Sequence, residues 1–182
     1  VFVFFFCFIF NFASVQVTGF DLNKTRLLGF GAGENIFVSS RIEILKEKKL
    51  IGKHIDMSFI ENKTFQLWSS FMPKRKEIKN VIDSNLYSLE VFPQKHFDNF
   101  DPNNSFQKWA AVEVADFDTI PSEFETLIIP TGLYAVFVHK GPQSEGHKTY
   151  HSIFVEWLPN SKYTVDERPH FAVMGDQYKK ED

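Results

Sequence analysis

The sequence predicts an α+β fold in which a strand–helix–strand unit is written twice, and three observations predict it. "NKTFQLWSSFMP" (62–73) and "HKTYHSIFVEWLP" (147–159) share a Lys-Thr-aromatic opening, an apolar stripe and a closing aromatic-Met/Leu-Pro. A β-rich segment precedes each copy, and a short alternating segment follows each.

The helices come first. Tyr150, Ile153, Phe154, Trp157 and Leu158 fall at i, i+3, i+4, i+7 and i+8, one face of an α-helix and not of a strand. Phe65, Trp68 and Met72 repeat most of that face, with Leu67 and Phe71 widening it. Thr64 and Thr149 stand at N-cap positions, and Pro73 and Pro159 where a helix must end or restart. Before the helices run "KKLIGKHIDMSF" (48–59) and "TGLYAVFVHKG" (131–141), each a strand leading into a loop. After them come "NLYSLEVFP" (85–93) and "RPHFAVMGD" (168–176). The first unit adds "FQKWAAVEVADF" (106–117), a strand by its β-branched and aromatic content. The second unit has no counterpart before Asp182, so the expectation is a C-terminal truncation of the second half; the alternative is a second half that never had the strand.

Residues 1–37 hold 10 of the 22 Phe and begin without Met. "VFVFFFCFIFNF" resembles a signal-peptide apolar region but lacks basic residues ahead of it, and it is too short to span a bilayer. Residues 1–37 are therefore expected to be a translated, AT-rich leader or a disordered segment, with Val38 as a start; a signal peptide and genuine structure are the alternatives. The 145 residues from 38 to 182 then make one domain, long enough to bury a core. The net charge of −3 favours neither a nucleic-acid nor a membrane surface, and "PKRKEIK" (73–79) reads as a solvated helix face. Cys7 is the sole cysteine, so the body forms no disulfide, and a reducing cytoplasm is the expected location.

"WAAVEV" (109–114), "IPTGLYAVFVHKG" (129–141), "EWLPNSKY" (156–163) and "DERPHF" (166–171) resemble, in this order, the GyrI-like small-molecule-binding domain. This effector-binding module occurs alone in bacteria and fused to AraC-type and MerR-type regulators; here the stand-alone form is expected. The resemblance spans roughly 40–182. It implies tandem β-α-β-β units related by a pseudo-twofold, antiparallel sheets with both helices against one side, and a central ligand cleft. It also implies a closing C-terminal strand, before which this sequence stops.

The alternation in "KWAAVEV" puts Trp109, Ala111 and Glu113 on one face and Ala110, Val112 and Val114 on a plain core face. An aromatic surface beside a carboxylate suits a flat or hydrophobic cation. Tyr134, which can both stack and hydrogen-bond, is added from "GLYAVFVHKG", and Tyr87 from the analogous outer strand. Many members of the resembled family carry a Glu after the Phe of "RPHF", where this chain has Ala172. Glu90, aligned with Ala172 by the repeat, is the candidate carboxylate from the opposite side. The ligand-binding set is Trp109, Glu113, Tyr134, Tyr87 and Glu90.

His147 and His151 have the spacing of helical metal ligands and His139 precedes them, but no Cys or carboxylate cluster completes a site, so no metal or other cofactor is expected. "GFGAGE" (29–34) lacks the Lys of a phosphate-binding loop. The function expected is capture of a small amphipathic or hydrophobic molecule, cationic or not, to sequester it or to signal to a protein partner. The alternatives are a hydrolase of electrophilic natural products, as some GyrI-like proteins are, and a gyrase-inhibitor-like interaction module. One candidate acid without a base and an orienting partner favours binding over catalysis.

Overall fold

Alternation in "KKLIGKHIDM" and "FQKWAAVEV" becomes an antiparallel ladder: β3 (Lys48–Met57) pairs with β5 (Phe106–Val114) from Lys49↔Val114 to Met57↔Phe106. The structure, a computed structural model, describes residues 5–13, 39–97, 101–140 and 146–175. Expectations falling on residues 14–38, "GFGAGE" among them, lie outside the described residues, as does the side chain of His147. The remaining strands are β1 (Phe5–Ala13), β2 (Ser39–Leu45), β4 (Leu86–Val91), β6 (Glu125–Ile129), β7 (Gly132–Lys140), β8 (Thr164–Val165) and β9 (His170–Met174). Helix α1 (Thr64–Lys74) ends in a 3₁₀ turn (Arg75–Glu77), and α2 (Gly146–His151) continues as a π-helical turn (Ser152–Trp157). The fold is α+β, with strand–helix–strand units where the sequence places them.

Strand order is β2-β7-β1-β9-β4-β5-β3-β6, and every pairing among the described residues is antiparallel. The order reads alike from both ends. In the first half β5 lies between β3 and β4; in the second β1 lies between β7 and β9. Phe5–Ala13, expected to lie in a leader, thus runs as backbone in the place equivalent to β5.

The outer strands join the halves. β2 and β3 are separated only by Lys46 and Glu47, β6 and β7 only by Pro130 and Thr131. Their register is unbroken across both bends: Leu45 faces Gly132 and Lys48 faces Ile129. The Glu47 amide donates to Thr131 Oγ1 at 2.8 Å, pinning the two bends together. Each is one long, bent strand, so the sheet path returns on itself and the halves enclose a common interior. Gly52 lets β5 approach β3 closely, because a Cβ there would lie 2.3 Å from the Ala110 carbonyl oxygen.

Three buried clusters result. Ile51, Leu67, Phe71, Ala110, Val112 and Val114 form the core under α1, and Ala135, Phe137, Ile153, Ala172 and Met174 the core under α2. Trp68 packs against both. A third cluster, including Leu50, Leu89, Ile129, Val136 and Phe171, lies on the sheet face away from the helices.

The second helical stripe is as read, with Ile153 buried and Tyr150, Phe154, Trp157 and Leu158 packed against the α2-side core. The first is corrected. Leu67 and Phe71, one turn apart, centre the buried face of α1, whereas Phe65 is 80 % exposed and Met72 is exposed. Neither threonine caps its helix through its side chain: Asn62 Oδ1 accepts the Thr64 amide at 2.9 Å, and Thr149 Oγ1 is buried 2.6 Å from His139 Nδ1.

Candidate ligand-binding site

Four of the five sequence-selected residues meet on the face away from the helices. Tyr87 from β4, Trp109 from β5 and Tyr134 from β7 belong to the third cluster, with Glu113 beside them. Their polar atoms are engaged internally. The Tyr87 hydroxyl donates to Glu113 Oε2 at 2.6 Å, and Lys48 Nζ, at 2.7 Å, donates to the same oxygen while lying 5.8 Å from the Tyr87 ring centroid. Trp109 stacks on His54 at 4.8 Å and donates from Nε1 to Gln107 Oε1 at 3.2 Å. The Tyr134 hydroxyl donates to the Pro130 carbonyl at 2.6 Å, and burial pushes its phenol pKa up against the opposing Arg168 charge.

Arg168 was not singled out in the sequence. Its guanidinium lies 4.7 Å over the Tyr134 ring and donates to Asp166 and to the Leu133 carbonyl. Gly132 makes room for it, since a Cβ there would stand 1.8 Å from Arg168 Nη1. Glu113, with its side chain 12 % exposed, thus already accepts two hydrogen bonds beside the buried Tyr87, Trp109 and Tyr134.

Glu90 stands on the other face. Period two along β4 sends Tyr87 and Leu89 to the third cluster and Glu90 toward the helices. There it forms an ion pair with Lys108, its register partner on β5, with side chains only 14 % and 11 % exposed. Across the β4/β9 pair Ser88 faces Ala172 and Glu90 faces His170. Ala172 belongs to the α2-side core, so the carboxylate that the resemblance places at that position would also rise on the helix side.

Around the pair stands an aromatic wall that the sequence reading passed over. Phe92 lies 4.9 Å from Phe106 and 5.5 Å from His170, and Phe154 lies 6.5 Å from His170 and stacks parallel to Tyr150 at 6.4 Å. Burial, reinforced by the Glu90 charge, holds the Tyr150 phenol pKa well above its ordinary value. Burial also lowers the His170 pKa, against the charges of Glu90 and Asp166. At the end of these strands a pocket of about 390 Å³ is lined by Phe92 and Phe106 and, from the face away from the helices, by the cross-strand row Asp56, Gln107 and Val91; Phe59 and Phe97 are exposed nearby. The available signal was a charge on the wrong face: Lys108 interrupts an otherwise apolar alternation with Ala110, Val112 and Val114. Among the described residues no three His, Cys, Asp or Glu side chains converge as a metal site, and no helix is long and apolar enough to cross a membrane.

A duplicated, pseudo-symmetric α+β sheet with both helices on one side defines a GyrI-like effector-binding domain. The chain belongs to the integron-associated effector-binding protein family (Cass2), whose model matches residues 41–182. Among solved structures it is similar to the integron cassette protein VCH_CASS2 from the mobile metagenome of Vibrio cholerae, with TM-score 0.51 and 12 % identity over 78 % of this chain and 99 % of that one. The EcmrR C-terminal domain is also similar, with TM-score 0.49 and 12 % identity over 77 % of this chain and 97 % of that one. An EcmrR–DNA complex matches with TM-score 0.46 and 12 % identity over 75 % of this chain and 56 % of that chain. No curated protein matches the chain.

Proposed function

We propose that this effector-binding domain takes a small, flat, amphipathic molecule on the helix side of its sheet, in the trough walled by Phe92, Phe106, Tyr150, Phe154 and His170. The observation that carries this reading is the Glu90–Lys108 pair, sunk among aromatic rings on the helix side of the sheet. Flat aromatic walls supply area at little entropic cost, and a few fixed polar groups orient what lies between them. Trp109, Glu113, Tyr134 and Tyr87 then act from beneath, as the packed layer that holds β4, β5 and β7 in place.

Titration with a panel of aromatic amphiphiles, read by calorimetry, tests the assignment. Phe92→Ala and Phe154→Ala should each weaken the best binder by about 1–2 kcal/mol, the scale of one aromatic contact. Trp109→Phe should leave its affinity unchanged. The reverse pattern would move the site to the opposite face of the sheet.

A further inference from the structure

The trough already contains a complete ion pair, and this bears on what it can accept. Glu90 and Lys108 are direct cross-strand neighbours, and both side chains are nearly closed to solvent. A cationic ligand could use Glu90 only by displacing Lys108, which would leave a buried ammonium without its partner. Among the described residues the nearby groups offer no replacement. Tyr150 stays a neutral phenol, and Asp166, the other carboxylate acting on His170, is held by Arg168 at 2.5 Å. Asp56 stands on the opposite face of the sheet and is exposed, where water and salt screen its charge. An anionic ligand meets the mirror-image difficulty, because it would take Lys108 from Glu90.

We propose that Lys108 is a specificity-determining residue: it fills the counter-charge position at Glu90 and restricts the trough to flat aromatic ligands without net charge. This rests on the trough being the binding site. It sets the chain apart from the lone carboxylate beside an aromatic surface that its sequence first presents.

Three probes of one shape and different charge test it: 4-methylbiphenyl, the N-methyl-4-phenylpyridinium cation and the biphenyl-4-carboxylate anion. The full chain should bind the neutral probe about tenfold or more tightly than either ion, the scale of leaving one charge unpaired. Lys108→Met should raise cation affinity about tenfold or more, and Glu90→Gln should do the same for the anion. The double variant Glu90→Gln/Lys108→Met carries no unpaired charge and should keep the original neutral preference. Should a single variant be too unstable to titrate, its melting temperature with and without the matching ion replaces affinity, and only the matching ion should raise it. The proposal is overturned by a wild-type chain that binds the cation as tightly as the neutral probe, or by single variants whose charge preference or ion-dependent melting does not move. Neutral binding that Phe92→Ala leaves untouched, or no binding of any probe by the wild type, overturns the trough reading and this inference together.

Discussion

Glu113 and Glu90 are both strand carboxylates paired with a lysine, and the residue that each serves follows from which way the strand faces. Glu113 accepts from Tyr87 and Lys48 in the closed layer, so Glu113→Gln should cost about 1–3 kcal/mol of stability, by urea denaturation, and leave ligand affinity intact. Gly132→Ala should act through a neighbour: the added Cβ occupies the position of Arg168 Nη1 and forces the guanidinium off the Tyr134 ring. The loss should register as a lower melting temperature, and pairing the substitution with Arg168→Ala should remove the steric part. His170 supplies a pH dependence. Its folded pKa lies below the ordinary histidine value, so between the two the unfolded chain binds the extra proton and the native chain does not. Stability should therefore fall as pH drops below about 6.5, and His170→Phe should flatten that part of the profile.

At the scale of elements, the helical period identified α1 but not which part of its wide apolar stripe is buried. Phe65, Leu67, Trp68, Phe71 and Met72 span an arc of about 160° at 3.6 residues per turn, and only the contact with β3 and β5 selects Leu67 and Phe71. Phe71→Ala should cost about 3–5 kcal/mol, as for a large aromatic removed from a core, whereas Phe65→Ala should change the urea midpoint little. The strands show the same division. Alternation sorted Trp109 with Ala111 and Ala110 with Val112 and Val114 correctly, because that sorting is local. It could not say which set faces the helices, since that depends on where α1 and α2 land. The expected set therefore combines four residues of the Trp109 face with Glu90, which stands, like Ala172, on the helix side. Strands β2 and β6 also escaped the reading; each is the near end of a bent strand whose far half alone carries a clear pattern.

At the scale of the whole molecule, closure of the sheet depends on a strand between β7 and β9. Without one, β7 would keep only β2 and β9 only β4, and two rows of amides and carbonyls would face each other unpaired. The backbone of Phe5–Asn11 pairs with Tyr134–Lys140 and that of Phe6–Ile9 with Phe171–Met174, at the place that β5 holds in the other half. The family match begins at residue 41, so this strand comes from outside the matched region. The full chain and a form starting at residue 38 should then differ sharply. Removing residues 1–37 should lower the urea midpoint and speed exchange of the β7 and β9 amides, while amides of β3 and β5 keep their protection, since their partners all lie within 39–175. A synthetic peptide of residues 5–13 added to the shortened form should restore slow exchange in β7 and β9, because an antiparallel strand supplies the missing backbone partners. Equal midpoints and equal exchange in the two forms would show that β7 and β9 hold their places without β1.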